Sequence, residues 1–351
     1  MPHKTDPTGY GCYLVEAYSR LHFGLLEIHP SAPSCFGGIG LMVDRPSVRL
    51  SSRTIDRGDQ QETRAEPCST REPCSNWEDS YWKERFLKVY RRFSLRTQIA
   101  EPPSVDLTLA PVPHIGLGSG TQFACAASAL LNLSENPDKP TNWQDASWTL
   151  DAGRGLRSHI GLHGFLHGQM IIDRGQEASE GALGTKRTTV HGFPETWRVV
   201  LLHEDVYQGD CGESEQAIFD ACSKRENPNR QRMLDLIALQ ILPAVSNGDF
   251  QGACEGIGLY GGLAGEIFRP AVGDAYRTTR IRSWVDRLRK LGLQGVGQSS
   301  WGPVVFAIVQ DSHQADWLLG RIQPEVLDGG WTYVAKAAGP ARIEKSGSGL
   351  V

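Results

Sequence analysis

Long apolar runs are missing from this sequence. No stretch reaches the roughly 18 consecutive apolar residues that a membrane-spanning helix needs, and the opening MPHKTDPTGYGCYLVEAY lacks a charged-then-apolar secretory pattern. A basic excess is missing as well. The 36 Lys and Arg residues stand against 40 Asp and Glu, a net charge of −4, which argues against a nucleic-acid surface. None of the eight cysteines (Cys12, Cys35, Cys68, Cys74, Cys125, Cys211, Cys222, Cys254) form a CxxC pair, so neither a zinc ribbon nor a redox dithiol is indicated. Cys68 and Cys74 are near enough to suggest a bridge, which a reducing cytosol disfavours. These absences lead to the expectation of a cytoplasmic enzyme with free thiols, acting on small molecules, with no nucleic acid and no membrane as partner.

What is present is a patterned chain of 351 residues, 40% hydrophobic and 22% charged, ordinary for a globular enzyme. Period-2 alternation and glycine turns predict strands within residues 11–50. Residues 53–80 are polar and read as a loop or insertion, followed by a helix over about 82–93. VDLTLAPVP reads as a strand leading into GLGSGTQFACAAS (116–128) and a helix to about Leu133. Beyond Trp197 the order is strand (WRVVLLHE), two helices (NRQRMLDLIALQILPAV and DFQGACEGIGLYGGLAGEIF), helix (RSWVDRLRKLG), strand (PVVFAIV), helix (DSHQADWLLGRI) and strand (WTYVAK). That succession is ferredoxin-like and predicts an α+β chain of two domains, 1–195 and 196–351.

The glycine loop is the strongest chemical signal. Gly116, Gly118 and Gly120 permit positive φ and close approach of a ligand. Their N–H groups, at the start of a helix, suit an anion, with Ser119, Thr121 and Gln122 as further donors. The lysine of the common P-loop is absent. The blander alternative is a tight strand-to-helix turn.

PHIGLGSGTQFACAAS resembles the phosphate loop of the GHMP kinase superfamily. With SRLHFGLLE (19–27), FGGIGLMVD (36–44), GRGLRSHIGLHGFLHGQMIID (153–173) and GVGQSSWGPVVFA (295–307), the resemblance narrows to the β-ribofuranosylaminobenzene 5′-phosphate synthase family, over about residues 12–335. The resemblance implies a two-domain GHMP kinase-like fold with a ferredoxin-like C-terminal domain and a cytoplasmic homodimer. It implies a decarboxylating phosphoribosyl transfer from phosphoribosyl pyrophosphate to 4-aminobenzoate (or 4-hydroxybenzoate) in tetrahydromethanopterin biosynthesis, with Mg2+ accompanying the donor. An ATP-dependent small-molecule kinase is the alternative. It is weakened because Ser158, His159, Ile160 and Gly161 hold no carboxylate where GHMP kinases typically carry an aspartate. A non-catalytic phosphate-binding protein is the third reading.

Within the matching segments, Arg20, Arg154 and Arg157 are the expected anion clamps, because a guanidinium fork matches phosphate and carboxylate. His22, Ser158, Gln298, Ser299 and Ser300 are further substrate-binding candidates, and Trp301 a candidate wall for the benzoate ring. His159, His163 and His167 form an i, i+4 stripe; His163 and His167 match the family pattern and are candidates for acid–base work, with Arg157 and Asp173 beside them as catalytic candidates. A zinc site on that stripe is disfavoured, since glycines weaken the helix and no fourth ligand is spaced to complete it; no metal ligand is assigned. Asp173 and Glu27 serve equally well as strand-end structural carboxylates.

Overall fold

A computed structural model describes residues 12–29, 35–53, 80–98, 104–135, 147–153, 158–175, 187–204, 213–327 and 329–346. The two segments richest in alternating apolar residues pair as β1 (Cys12–Glu27) and β2 (Phe36–Arg53), antiparallel. Helix α1 (Ser80–Thr97) follows, then β3 (Ser104–Leu109), the glycine loop and α2 (Ser119–Glu135). Next come α3 (Ser147–Ala152), α4 (Ile160–His167), β4 (Met170–Asp173) and β5 (Thr188–His191). Residues 54–79, where the sequence suggests an insertion, lie outside the described residues, as do Cys68 and Cys74.

The second half opens with β6 (Arg198–His203) and α5 (Glu213–Cys222). One long helix is expected over NRQRMLDLIALQILPAV. Instead α6 (Arg230–Leu236) widens to a π turn over Ile237–Ile241 before α7 (Leu242–Asn247). Pro243 has no N–H to return to the preceding turn, and a wider turn absorbs that lost bond. Helices α8 (Phe250–Gly265), α9 (Arg269–Val272) and α10 (Thr279–Lys290) lead to the hairpin β7 (Val296–Gln298) and β8 (Val305–Val309). Helix α11 (Ser312–Ile322), β9 (Trp331–Ala335) and β10 (Arg342–Ser346) close the chain.

These strands form two sheets. The four-stranded sheet has the order β7-β8-β6-β9, all antiparallel, which is the ferredoxin-like arrangement expected from the sequence. The six-stranded sheet has the order β10-β1-β2-β4-β5, with β3 beside β2. The last strand, β10, thus pairs with the first rather than with the sheet that precedes it.

A shift of register in β1 positions the site. Tyr13, Val15 and Ala17 pack among the side chains of α1 and α2. Leu21 and Phe23, of the same parity, pack instead in a second core with Val199, Leu201 and Phe306 of the other sheet. The change of face falls at the register shift between Tyr18 and Ser19. Because side chains alternate with period 2, this irregularity turns the following residues over, up to a second shift between His22 and Gly24. Arg20 and His22 thereby reach the helical side of the sheet, where α2 begins.

Candidate active site

The glycine loop turns at Gly116 (φ 91°) and Gly118 (φ 67°), a backbone that L side chains rarely adopt. Leu117 O accepts from Arg20 N–H at 2.8 Å, which ties the loop to β1. Gly118 O accepts from the N–H groups of Thr121 and Gln122 at 2.9 and 3.1 Å and starts α2. The first turn of α2 therefore faces the end of the loop, carrying the partial positive charge of a helix N-terminus.

Three distant segments are riveted here by one hydroxyl. Ser299, fully buried, donates to Gly116 O at 2.8 Å and accepts from His22 N–H at 3.1 Å. Ser300 (φ 56°) returns its N–H to His22 O at 2.7 Å, and Val304 N–H donates to Ile115 O at 3.3 Å. A Cβ added at Gly116 would stand 2.9 Å from Gly302 Cα, so the two backbones touch directly. The 299–302 turn between β7 and β8 is thus fastened to the glycine loop. Ser299 acts within the fold, its hydroxyl spent on backbone partners.

The other expected residues divide. Arg20 lies against the loop: a Cβ at Gly118 would meet its Nε at 3.1 Å and Cζ at 3.3 Å. Arg154 and Arg157 lie outside the described residues. Gln122 is buried, and its amide donates to Gly161 O at 2.8 Å, holding α2 to α4. Ser119 is buried at the first position of α2, and Thr121 and Gly120 are half-buried in the same turn. Gln298 Oε1 accepts from Arg277 N–H at 3.1 Å. Trp301 is buried and stacks on Phe268 with centroids 4.1 Å apart, placing it in a small apolar cluster with Leu25 and Phe219.

Helix α4 brings its first residues, not its last, to the loop. Ser158 Oγ accepts from Ile160 N–H at 3.3 Å, and Gly161 lies beneath Thr121. Asp173, fully buried, accepts from His159 N–H at 2.9 Å and Gly175 N–H at 3.0 Å, which anchors the start of α4 to the end of β4. His163 is buried, its ring 6.3 Å from that of His159 and stacked at 5.9 Å on His167. His167 is exposed at the far end of the helix, about 10 Å along the axis from Ile160. Among the described residues no group of three His, Cys, Asp or Glu side chains is placed to hold a metal ion. Glu27 accepts three backbone N–H groups, from Ile28, His29 and Asn227, which is the structural use of a buried carboxylate.

His22 is the most perturbed group beside the loop. It is almost wholly buried, and its Nδ1 accepts from Gly24 N–H at 3.1 Å. That bond puts the proton of the neutral ring on Nε2. Burial first, and the neighbouring Arg20 charge second, push its pKa well below 6.5. Among the described residues Nε2 has no hydrogen-bond partner.

No protein-family model matches the sequence. Among curated proteins, a β-ribofuranosylphenol 5′-phosphate synthase of Methanothermobacter thermautotrophicus is 22% identical over 346 residues, 95% of this chain and 95% of that protein. The synthase of the same name from Methanocaldococcus jannaschii is 24% identical, covering 84% of this chain and 88% of its own. Over most of its length the chain resembles these synthases. Among solved structures, homoserine kinase from Cytophaga hutchinsonii superposes with a TM-score of 0.59 at 13% identity, covering 98% of this chain and all of that one. Mevalonate diphosphate decarboxylase from Enterococcus faecalis superposes at 0.60 with 10% identity, covering 96% and 99%. The fold is that of the GHMP kinases.

The likeness to these synthases is foreseeable from the motifs; two arginines near the loop lie outside those motifs. Arg277 is buried, with Nη1 donating to Trp301 O at 2.5 Å, and it braces the 299–302 turn. Arg85, from α1, lies over the first turn of α2: a Cβ at Gly120 would stand 3.0 Å from its Cζ and Nη1. The signal for it existed. Trp82, Phe86, Val89 and Phe93 form the buried stripe of α1, and Arg85, Lys88 and Arg92 follow the adjacent stripe at helical spacing. No helix among the described residues is long and apolar enough to cross a membrane.

Proposed function

We propose that the chain joins phosphoribosyl pyrophosphate to 4-hydroxybenzoate or 4-aminobenzoate with loss of carbon dioxide and pyrophosphate. The observation that carries this reading is the match to β-ribofuranosylphenol 5′-phosphate synthases across up to 95% of the chain. The relatives' name is that of a phenol product, which puts hydroxybenzoate first. In the proposed reaction the ring carbon bearing the carboxylate attacks the anomeric carbon, and the bond from that carbon to pyrophosphate breaks. The C–CO2 bond then returns its electron pair to the ring as carbon dioxide departs. Pyrophosphate leaves with the pair from the broken C–O bond, so the step needs positive charge where that oxygen develops its own.

The residues fit that demand. The backbone N–H groups around Gly118 and the first turn of α2, with Arg20 against them, form a site for the leaving polyanion. Magnesium would come with the donor and would neutralise charge on its pyrophosphate; Asp173, whose two oxygens each accept a backbone N–H, is the structural carboxylate at the start of α4. His163 is retained as the base for the ring substituent; removal of a phenol proton pushes electron density to the attacking carbon. The pathway assigned is tetrahydromethanopterin biosynthesis.

The test is direct. The purified chain, given phosphoribosyl pyrophosphate and carboxyl-labelled 4-hydroxybenzoate or 4-aminobenzoate over a range of magnesium, releases labelled carbon dioxide. Absence of release with both acids overturns the reading. The kinase alternative rests on the homoserine kinase likeness. It would show as thermal stabilisation by ATP and none by phosphoribosyl pyrophosphate.

A further inference from the structure

Beside the glycine loop, away from the second sheet, lies a cleft of about 240 Å³ whose lining includes Arg85, Lys88, Arg92, Ala124 and Gly153. Its charge is lopsided: three cations from successive turns of α1 face one carboxylate, Glu84, and that carboxylate pairs with Lys88 at 2.6 Å. The arginines are oriented rather than splayed. Arg85 Nε donates to Tyr81 Oη at 2.6 Å, and this turns Nη1 and Nη2 toward Gly120, at 3.0 and 3.2 Å from where a Cβ would be. Arg92 Nη1 reaches Asp151 O at 3.5 Å and fills the space a side chain at Gly153 would need. Glycine at 120 and at 153 is what lets both guanidinium groups approach the backbone.

Two guanidinium groups therefore flank one turn of helix, Arg20 at Gly118 and Arg85 at Gly120. They come from different elements, β1 and α1, on different sides of the loop. The Arg20 flank adjoins His22 and the 299–302 turn, where the two sheets meet. Among the described residues the Arg85 flank is lined by α1, α2 and the end of α3 with Gly153. A ligand with two anionic ends could engage one arginine with each.

We infer that the Arg85–Lys88–Arg92 cleft is a phosphomonoester subsite that holds the 5′-phosphate of the donor. The pyrophosphate end lies on the Arg20 flank, toward the junction of the sheets. The inference rests on the proposed donor, but it concerns a separable part of it. The cleft, with the small Ala124 in its lining, has room for a phosphate, and the forks of Arg85 and Arg92 suit a terminal dianion.

The experiment uses the two halves of the donor as separate probes. Binding of ribose 5-phosphate and of inorganic pyrophosphate is measured by calorimetry on the full chain and on Arg85→Gln, Arg85→Lys and Arg20→Gln, each checked for an unchanged melting curve. Arg85→Gln is expected to weaken ribose 5-phosphate by about tenfold or more, the loss of a charge-assisted contact, and pyrophosphate by less than about twofold. Arg85→Lys is expected to recover part of the loss, and Arg20→Gln to show the opposite selectivity. Equal effects of Arg85→Gln on both probes, no effect on ribose 5-phosphate, or no binding of ribose 5-phosphate to the unaltered chain overturns the subsite. The labelled decarboxylation assay on the unaltered chain reports separately on the reaction. Turnover with an indifferent Arg85 sinks the subsite alone; selective binding without turnover sinks the reaction alone.

Discussion

At Gly116 the loop is shut against Gly302, backbone on backbone, whereas at Gly118 and Gly120, within the same turn of chain, it lies open to the guanidinium groups of Arg20 and Arg85. The same residue type serves opposite ends. At the seam, glycine removes a side chain so that two sheets can be fastened without a gap. In the turn, it removes one so that charge can approach the N–H groups. The glycine-rich loop is therefore not one feature but two, a fastened seam and a proposed anion seat, and substitutions should separate them.

The largest effect is expected at the seam. A Cβ at Gly302 would fall inside contact distance of Gly116 Cα and N, and 2.6 Å from Ile115 C, all backbone atoms that cannot rotate away. Gly302→Ala is expected to destabilise the fold by about 3 kcal/mol, the scale of an overpacked core. Gly262→Ala, a helical position with nothing within 4 Å, should be neutral or slightly stabilising. Denaturant midpoints of the two variants test this, and a Gly302→Ala protein as stable as Gly262→Ala would show the seam to be loose.

Ser299 sets the next scale. Its hydroxyl satisfies Gly116 O and His22 N–H, and alanine there strands both buried groups at a cost of about 2 kcal/mol. The comparison sharpens if turnover is followed together with stability. Ser299→Ala should lose activity through a loosened loop, while Ser299→Thr, which keeps the hydroxyl, recovers part of it. Restoration of neither quantity by threonine would separate the rivet from the hydroxyl.

His22, on the wall between seam and turn, adds a pH dependence whose sign is fixed. Its folded pKa lies well below 6.5, the ordinary imidazole value, so between the two values the unfolded chain binds a proton that the folded one refuses. Stability from this group is whole above pH 6.5 and falls as the pH drops toward the folded value. The slope approaches about 1.4 kcal/mol per pH unit for one proton. His22→Gln is expected to remove that slope below pH 6.5, measured by urea unfolding at each pH. An unchanged slope would assign the acid sensitivity elsewhere.

Much of this arrangement could be read from residue order, and the remainder could not for definable reasons. Alternation in CYLVEAYSRLHFGLLE gives a strand, and Ile281, Trp284, Val285 and Leu288 give the buried stripe of α10. The ferredoxin-like character of the second sheet follows from the strand and helix succession, though its edge strand β7 does not. The flip at Tyr18 and Ser19 depends on how β2 pairs with β1, so the direction in which Arg20 and His22 point is a tertiary fact. Ser299 looks like a ligand donor until Gly116, 183 residues away in sequence, claims its hydroxyl. The histidine stripe is legible from its spacing, yet only the fold reveals that its last member is exposed at the far end of α4. β5, β7 and β10 have 3 to 5 residues each, too short for a periodic signal against their neighbours.

The smallest effect isolates the proposed anion seat. Gly118 and Gly248 share nearly the same left-handed backbone, φ 67° and 70°, but differ in surroundings. Gly248 has nothing within 4 Å, while Gly118 has Arg20 at 3.1–3.3 Å from a would-be Cβ. Alanine at either position pays the same backbone strain, about 1 kcal/mol. Nε and Cζ of Arg20 can swing aside, and its Cβ, at 3.2 Å, needs a shift of only a few tenths of an ångström, so Gly118→Ala should add little to that loss of stability. What it should add is a displaced guanidinium. Pyrophosphate binding is expected to weaken several-fold in Gly118→Ala and to stay unchanged in Gly248→Ala, at matched stability. Because backbone strain is common to both, the difference belongs to the arginine and the N–H groups it accompanies. Equal pyrophosphate affinity in the two variants would mean that the loop turns the chain and seats no anion.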